Sequence, residues 1–531
     1  MRPILEGRTL AVINDLSLDE IVWLHGKTRE LKEARERKDA PALARFRIDD
    51  LFYGLYEVFL EDSTRTKESF KNAAAFHGIK HQLLDVGSSS INKNESYADT
   101  FRTLIGYDNQ VFVVRSKLEG VCRWLQQVGE EYAAFHGLGF VPVFLNAGDG
   151  KHEHPTQELL DEFTLLEDQS WDRSHLHVAL VGDLLNGRTV HSKADGLRIF
   201  KEVKVDLVAP SDLAMPTAYV ERMRENGFEV RLFESIQEYL ACDDKAARWY
   251  FTRDQLERMP DEMKSKVARL REMTKFKEEY ASRLAYGTRF YHPLPMNKEW
   301  PEIPVSLGRT PLNGWERQSH NGYLKRIVLL AAVAGKIGHD FDGESFTSPT
   351  FDYSFVKEVA AGGTPKDYSK EEDSEGIKEI RDGIVLDKIC VDEPKRAITA
   401  YVNRVVRIMG FDDMTHFSGP TNSKKTGKTK GYISIPNHAP LSPESSEVHK
   451  LAALALGCTV NVIKDGRVVT KIRLSQPPRI YDFDELACPN EACISHPDNH
   501  EGIKAEFLRR GEGFDCKYCD THHSYQQLWR R

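Results

Sequence analysis

The feature that most constrains the fold of this chain is a succession of short apolar runs separated by helical segments, which fills residues 1–338. The first series contains the runs YEVFL, KHQLLDV, VFVVRS and VPVFLNAG. The second contains HVALVGDLL, VDLVAP, FEVRLF, ARWYFTR and RFYHPLP. Strands that alternate with helices form mainly parallel sheets, which bind ligands beyond the carboxyl ends of their strands. The pattern therefore predicts two doubly wound parallel-sheet α/β domains with a cleft between them.

Beyond residue 338 the sequence changes character. Glycine, serine, proline and charged residues without apolar periodicity predict a linker, and the short β-type runs that follow, with KDGR as a hairpin turn, predict a small α+β domain. The predicted parts are a first α/β domain (1–148, completed by a helix at 321–338), a second α/β domain (149–320), the linker (339–375), the α+β domain (376–475) and a cysteine-rich β domain (476–531).

Bulk composition excludes several classes of protein. The formal charge of -8 at pH 7 argues against general affinity for nucleic acid, so an anionic ligand must be held by a local cluster of cations. No run approaches the ~18 apolar residues of a membrane span. The N-terminal stretch also lacks the apolar core and cleavage site of a signal peptide. We therefore expect a cytoplasmic protein without membrane or nucleic-acid partners.

Four hydroxyl or cationic residues stand together where an apolar run gives way to a helical pattern: Ser63, Thr64, Arg65 and Thr66. The first turn of a helix has unpaired N–H groups and partial positive charge, so these side chains suit a phosphate group. A guanidinium can also hold two phosphate oxygens at once. Capping of an ordinary surface turn by Ser or Thr explains this stretch, taken alone, equally well.

Other predicted strand ends carry polar groups of the same kind. Arg115 follows VFVV, and the motif HPTQ, with His154 and Gln157, follows VFLNAGDG. A lone histidine is more often a cap or a core residue, but together with Arg65 these groups are interpreted as donors around a carbonyl and a phosphate. The motif HPLP (292–295) places two prolines in a strand-end loop, where they can present backbone carbonyls rigidly and adopt a cis peptide.

The second domain carries residues suited to carboxylates. Arg188 and Thr189 lie in NGRTVHS at a strand-to-helix turn, and Arg253 and Gln255 lie in FTRDQ after an apolar strand. Arginine in a cleft binds carboxylates through paired N–H donors. Each arginine taken separately is more often a solvated surface residue.

The cysteine-rich end contains two close-spaced pairs: Cys488 with Cys493, and Cys516 with Cys519. Four thiolates so arranged suit a tetrahedral structural zinc ion, one per chain, with no open position for catalysis. Free thiols or disulfides are the alternative, which the cytoplasm disfavours. Four nearby histidines are interpreted as surface residues: His496, His500, His522 and His523.

The four motifs DSTRTK, HPTQ, VGDLLNGRTVHS and HPLP occur in this order over residues 1–338 and together resemble the aspartate carbamoyltransferases of the carbamoyltransferase family. Relatives that use ornithine typically carry a cysteine in the HPLP motif, so Pro293 favours aspartate. The resemblance implies transfer of the carbamoyl group from carbamoyl phosphate to L-aspartate in de novo pyrimidine synthesis. It implies no metal and no covalent nucleophile in catalysis.

The resemblance also implies a role for each residue. The phosphate would be held by Ser63, Thr64, Arg65, Thr66 and Arg115. The carbonyl would be polarised by Thr66, Arg115 and His154, and the carbamoyl amine contacted by Gln157. The catalytic residues would be Arg65, Thr66, Arg115 and His154. The carboxylates of aspartate would be held by Arg188, Thr189, Arg253 and Gln255, with the backbone carbonyls of Pro293 and Leu294 near its amine. In the family the site lies between subunits of a trimer, which implies that a neighbouring chain lends Ser89 and Lys93.

The last third of the chain resembles the regulatory chain of bacterial aspartate carbamoyltransferase. LACPNEACISHPDN and FDCKYCD resemble its zinc domain, whereas GIVLDKI and TVNVIKDGRVV resemble its nucleotide-binding domain. The resemblance implies a fused catalytic and regulatory chain, a homo-oligomer built on trimers, and ATP or CTP as effectors. Asp387 and Lys471 match effector positions, but residues 435–454 lack the family's lysine-containing segment, so assembly of trimers is the alternative role.

Two rival interpretations remain open at this point. The same fold could transfer the carbamoyl group to another amino acceptor, such as ornithine. Alternatively, the chain could be a non-catalytic, zinc-dependent scaffold. The retained polar groups in every motif favour the enzyme over the scaffold.

Overall fold

The computed structural model describes residues 3–84, 95–255, 266–348, 350–352, 354–360, 380–423 and 426–529. It divides the chain into two units. The first contains Met1–Thr347, Ala487–Ile503 and Tyr518–Thr521, and the second contains Ser348–Leu486, Lys504–Lys517 and His522–Arg531. Within the described ranges, no helix has the length and apolar character needed to span a bilayer.

The first sheet of the first unit has four parallel strands in the order β2-β1-β3-β4. Its strands are β1 (Gly54–Phe59), β2 (Lys80–Leu83), β3 (Val111–Ser116) and β4 (Val143–Asp149). The surrounding helices are α1 (Leu18–Glu36), α2 (Ala40–Ala44), α3 (Thr64–His77), α4 (Tyr97–Ile105), α5 (Val121–His136) and α6 (Pro155–Asp168). Helix α3 ends where Gly78 adopts a left-handed conformation (φ 65°), which glycine accepts without steric cost.

The second sheet of this unit has five parallel strands in the order β7-β6-β5-β8-β9. They are β5 (His175–Gly182), β6 (Glu202–Val208), β7 (Glu229–Phe233), β8 (Arg248–Thr252) and β9 (Arg289–Tyr291). Its helices are α7 (Arg188–His191), α8 (Lys193–Gly196), α9 (Thr217–Glu225), α10 (Ile236–Ala241) and α11 (Val267–Thr274). The following helix, α12 (Trp315–Val333), packs against α1, α3 and α6 of the first sheet. Two parallel-sheet α/β parts confirm the predicted fold class.

Helix α12 differs in its limits from the helix predicted at 321–338. It begins six residues earlier, at Trp315, and ends at Val333, shortly before Gly335 takes a φ of 69°. The early turns escaped the sequence pattern because they bury polar side chains such as Gln318, and the next turn buries Asn321 in the same way. These amides pair with polar groups on α6 instead of facing water.

The second unit contains a six-stranded antiparallel sheet in the order β10-β15-β14-β11-β13-β12. Its strands are β10 (Val356–Val359), β11 (Gly383–Ile389), β12 (Phe417–Asn422), β13 (Thr429–Pro436), β14 (Thr459–Lys464) and β15 (Arg467–Leu474), with helices α13 (Lys395–Ile408) and α14 (Ser446–Leu454). The predicted KDGR hairpin joins β14 to β15, and both Asp465 and Gly466 have the positive φ of a type I′ turn.

Strand β10 lies inside the segment predicted to be a linker. It pairs antiparallel with β15, with Val356 opposite Leu474. Its sequence VKEV has too little apolar periodicity to be recognised without knowledge of the sheet edge that receives it.

Four short strands follow near the end of the chain. They are β16 (Arg479–Ile480), β17 (Phe507–Arg510), β18 (Gly513–Cys516) and β19 (His522–His523), paired antiparallel in that order. Contrary to the prediction that His523 is a surface residue, its side chain is buried beside Phe507.

Candidate active site

A cavity of about 530 Å³ in the first unit is lined by segments that follow the strands of both parallel sheets. It brings together the predicted ligand-binding residues of both α/β parts: Ser63, Thr64, Arg65, Thr66, Arg115, His154, Gln157, Arg188, Thr189, Arg253, Gln255, Pro293 and Leu294. The predicted residues Ser89 and Lys93 lie outside the described residues.

The hydroxyl-rich turn forms one wall of this cavity. Helix α3 begins at Thr64, so the unpaired N–H groups of its first turn belong to this wall. The side chain of Ser63 makes no capping hydrogen bond in the described part of the chain, which is unlike the surface cap that the sequence alone allowed. Partial burial, followed by repulsion from Arg253, lowers the pKa of the Arg65 guanidinium. The wall therefore concentrates positive charge.

A partly buried acid joins two arginines of the site. Oε2 of Glu61 lies 2.9 Å from Nη2 of Arg188 and 3.5 Å from Nε of Arg115. Arg115 also donates to the backbone carbonyl of Ala147 at 3.1 Å. A side chain at Gly148 would come within 2.6 Å of the Arg188 guanidinium, so this glycine makes the close approach possible.

His154 is buried at the start of α6, with Ser192 Oγ accepting from its backbone N–H at 3.0 Å. Burial is the main reason that its pKa lies well below the ordinary 6.5, and the nearby charges of Arg188, Arg115 and Arg326 lower it further. The imidazole is therefore neutral near pH 7 and can donate one N–H to a ligand.

The opposite wall comes from the loops after β8 and β9. The backbone N–H of Gln255 donates to Asp183 at 3.0 Å, and its side chain donates to the Arg253 carbonyl at 3.2 Å. In the HPLP loop, Leu294 N–H donates to His292 Nδ1 at 2.8 Å, and the Leu294–Pro295 peptide is cis. These bonds fix the loops that carry the predicted carboxylate-binding groups.

Three residues in or beside the cavity escaped the sequence analysis. Glu61 immediately precedes DSTRTK, and Gln318 and Arg326 line the cavity from α12. The sequence signal for each of them is a polar residue in an otherwise apolar context. That signal does not identify the residues that the side chain contacts. Burial is the main cause that lowers the pKa of Arg326 to about 10.

The four clustered cysteines of the C-terminal region come together as predicted. All are buried free thiols, and their Sγ atoms lie within 4.8 Å of one another. Cys488 and Cys519 are 3.7 Å apart, close to the ~3.8 Å expected between two thiolates on a tetrahedral zinc ion with 2.3 Å bonds. The donor set therefore fits a structural metal ion.

The segment that carries two of these cysteines is paired with the first α/β part. Glu119 exchanges backbone hydrogen bonds with Ala492 and Ile494 at 2.7 and 2.9 Å. Asp520 is the residue after Cys519. Its Oδ1 lies 2.7 Å from Nη1 of Arg123, and its Oδ2 lies 3.0 Å from Nε2 of His152. His152 lies two residues before His154, so the segment adjoins a loop of the active site.

The two tentative effector residues lie in the six-stranded sheet. Asp387 is in β11 and pairs with Lys430 at 2.6 Å, while Lys471 is in β15, with β14 between the two strands. No direct bond between Asp387 and Lys471 is present among the described contacts.

Comparison with known proteins agrees with this architecture. Residues 8–167 match the carbamoyl-phosphate-binding domain of aspartate/ornithine carbamoyltransferases. Residues 375–475 and 478–529 match the allosteric and metal-binding domains of the aspartate carbamoyltransferase regulatory chain.

Two relatives are similar over nearly the whole chain. Protein PyrBI of Treponema denticola is 50% identical over 527 residues, and Protein PyrBI of Thermotoga maritima is 49% identical over 529 residues, with 98% of each chain covered in both cases. Among solved structures, Trypanosoma cruzi aspartate transcarbamoylase in complex with carbamoyl phosphate and aspartate is 27% identical, with a TM-score of 0.53 over 62% of this chain and 98% of that one. The chain therefore belongs to the aspartate carbamoyltransferase family, as an enzyme that joins a catalytic and a regulatory part in one polypeptide.

Proposed function

We propose that the described cavity performs carbamoyl transfer from carbamoyl phosphate to L-aspartate, the reaction that this family contributes to pyrimidine synthesis. The observation that carries the proposal is the convergence of four guanidinium groups and a neutral, buried imidazole on one cavity: Arg65, Arg115, Arg188, Arg253 and His154. Two substrates that together bear a phosphate and two carboxylates require such a concentration of cations. A site for ornithine would need an anion for its second amine.

Carbamoyl phosphate occupies the wall formed by α3. The first-turn N–H groups, the hydroxyls of Ser63, Thr64 and Thr66, and the guanidinium of Arg65 hold its phosphate. Arg115, Thr66 and the neutral His154 donate to its carbonyl oxygen, and Gln157 contacts its amine. Donors fixed before the reaction stabilise charge without reorganisation.

Aspartate occupies the opposite wall. Arg188, Thr189, Arg253 and Gln255 hold its carboxylates, while the backbone carbonyls of Pro293 and Leu294 receive hydrogen bonds from its amine. The amine attacks the carbamoyl carbon, negative charge grows on the carbonyl oxygen, and the C–O bond to phosphate breaks as the amine's proton leaves with the departing phosphate. Orientation and charge stabilisation supply the catalysis, with the departing phosphate held by the same cations.

The assembly and regulation of the enzyme are part of the proposal. The metal is zinc, one ion per chain, held by the four thiolates for a structural purpose. The enzyme is cytoplasmic and built on trimers in which Ser89 and Lys93 of a neighbouring chain complete each site. Asp387 and Lys471 contact ATP or CTP. The parts divide at 148, 320, 338, 375 and 475, with strand β10 inside the linker.

Product analysis tests the proposed reaction. Purified full-length protein with carbamoyl phosphate should release N-carbamoyl-L-aspartate when aspartate is supplied, and phosphate in equal amount. A preference for ornithine would overturn the substrate assignment. Absence of transfer to either amino acid would overturn the proposed function as a whole.

A further inference from the structure

A lysine that no sequence motif identified lies fully buried behind the active site. Lys193 begins α8, and its Nζ donates to Glu158 Oε2 at 2.8 Å and to Asp161 Oδ2 at 2.9 Å. The ring of Tyr250 lies 4.1 Å from the same ammonium. Burial opposes the charge, but attraction to Asp161 and Glu158 outweighs it, so the pKa of Lys193 is raised. The Lys193 side chain therefore keeps its positive charge in a place where burial alone would favour the neutral amine.

The second oxygen of Asp161 is engaged by two glutamines. Oδ1 accepts from Gln157 Nε2 at 2.9 Å and from Gln318 Nε2 at 2.6 Å. Gln318 can face only one way, because its Oε1 accepts from the backbone N–H of His292 at 2.9 Å. Its NH₂ group must therefore point at Asp161, which makes Oδ1 an acceptor.

The same reasoning fixes the amide of Gln157. A carboxylate accepts but does not donate, so only the NH₂ end of Gln157 can face Asp161. Gln157 also lines the cavity, where the amide atom left for a ligand is the acceptor Oε1. An acceptor suits an NH₂ group of the ligand and not a methyl group.

We propose that Lys193, through Asp161, is a positioning residue that holds the Gln157 carbonyl toward the ligand and makes the site prefer an acyl phosphate with an NH₂ group over one with a methyl group. This inference rests on the proposed function, in which Gln157 contacts the carbamoyl amine. Without Lys193, the carboxylate of Asp161 loses the donor that holds its Oδ2, so it no longer fixes Oδ1 against Gln157 and the Gln157 amide can reverse. The reversed amide presents its own NH₂ to the ligand, and the preference is lost.

Acetyl phosphate tests the inference because it replaces the carbamoyl NH₂ with a methyl group of similar size. In the full-length enzyme, its inhibition constant against carbamoyl phosphate, divided by the dissociation constant of carbamoyl phosphate, measures the preference. Lys193→Met keeps the length of the side chain and its contact with Tyr250. The ratio should fall on the order of 10-fold, which is the expected difference in affinity between a buried hydrogen-bond acceptor that is paired and one that is left unpaired.

Other variants separate positioning from stability. In Asp161→Asn, the Lys193 ammonium should hold the amide oxygen, so the amide NH₂ faces Gln157 and the ratio should fall as in Lys193→Met, even if the latter fails to fold. Glu158→Gln removes the other ion-pair partner of Lys193 but should keep the ratio. Lys325→Met is the matched control, because Lys325 is similarly buried but donates to the Leu24 carbonyl at 3.1 Å and lies 2.8 Å from His25 Nδ1, whereas Lys193 bonds Asp161.

The outcomes distinguish this inference from the proposed function. An unchanged ratio in both Lys193→Met and Asp161→Asn, in enzyme that still binds carbamoyl phosphate, would overturn the inference alone. An equal fall in Glu158→Gln or Lys325→Met would also overturn it, because any buried charge would then act alike. If the unmodified enzyme did not bind carbamoyl phosphate, the proposed function would fail instead.

Discussion

Nη2 of Arg188 donates a 2.9 Å hydrogen bond to Oε2 of Glu61 and thereby ties helix α7 to the segment after β1. The same oxygen lies 3.5 Å from Nε of Arg115. One carboxylate therefore positions an arginine of the phosphate wall and an arginine of the carboxylate wall. We expect this acid to coordinate the two halves of the site.

Glu61→Gln should lower kcat/KM for both substrates by at least ~10-fold, because charged hydrogen bonds contribute about 1.5–3 kcal/mol. Glutamine keeps the shape but loses the charge that orients two guanidinium groups. Steady-state kinetics with each substrate varied in turn measures the effect. Glu33→Gln, an exposed acid paired with Arg29, is the control and should change nothing. Full activity of Glu61→Gln would contradict the coordinating role.

Arg65→Ala should reduce kcat/KM for carbamoyl phosphate by ~10²-fold or more, since it removes a charge-stabilising donor from the phosphate wall. Inorganic phosphate should also inhibit the variant less strongly. Lys71→Ala is a matched control on the same helix, because Lys71 is exposed and pairs only weakly with Glu68 at 3.7 Å. Equal phosphate inhibition in wild type and Arg65→Ala would place the phosphate elsewhere.

The turn at the start of α3 could be predicted from sequence because its information is local. Hydroxyls and a guanidinium at a strand-to-helix junction suit either a helix cap or an anion site, and the companion residues Arg115 and His154 at equivalent strand ends favour the anion site. The parallel sheets follow from the same alternation of apolar runs and helices. The family motifs then assign carbamoyl phosphate to the polar residues of the first α/β part and aspartate to those of the second.

The supporting residues could not be predicted because their roles depend on partners distant in sequence. Gln318 meets Asp161 across 157 positions, and Lys193 meets it across 32. A buried lysine or glutamine on an apolar helix is compatible with many contacts. Strand β10 was missed for a similar reason, since only the edge of β15 makes VKEV a strand.

Acid should destabilise the first unit through His77, the last residue of α3. Its Nε2–H donates to the Ile327 carbonyl at 2.9 Å, and burial is the main cause that lowers its pKa to about 4, with Arg47 and Asp49 as the nearby charges. Below pH 6.5 the unfolded chain binds a proton that the folded chain does not. The folded state should therefore lose up to ~3 kcal/mol as pH falls from 6.5 to 4.

Thermal unfolding of His77→Gln tests this pH dependence. Glutamine can keep the donor to Ile327 but cannot titrate, so its melting temperature should fall less than that of wild type between pH 7 and pH 5. The difference between the two proteins in the pH dependence of melting temperature should vanish above pH 7, where His77 is neutral in both the folded and the unfolded chain. Parallel curves for the two proteins over the whole range would show that His77 does not contribute.

Removal of the metal should act on the active site through Asp520. Cys519 precedes this acid, which bonds Arg123 and His152 beside the loop of His154. Metal analysis of pure protein should find one zinc ion per chain. Cys493→Ser should lose the ion, whereas Cys122→Ser, a buried thiol outside the cluster, should retain it.

Loss of the ion should also weaken the link between the metal site and the active site. Because the contacts of Asp520 depend on the fixed position of Cys519, Cys493→Ser should raise the KM for aspartate and lower the mass of the assembly in solution. Asp520→Asn should raise the same KM while keeping the metal, since it weakens the contacts to Arg123 and His152 directly. If Asp520→Asn matched wild type in KM, the metal would act on assembly alone.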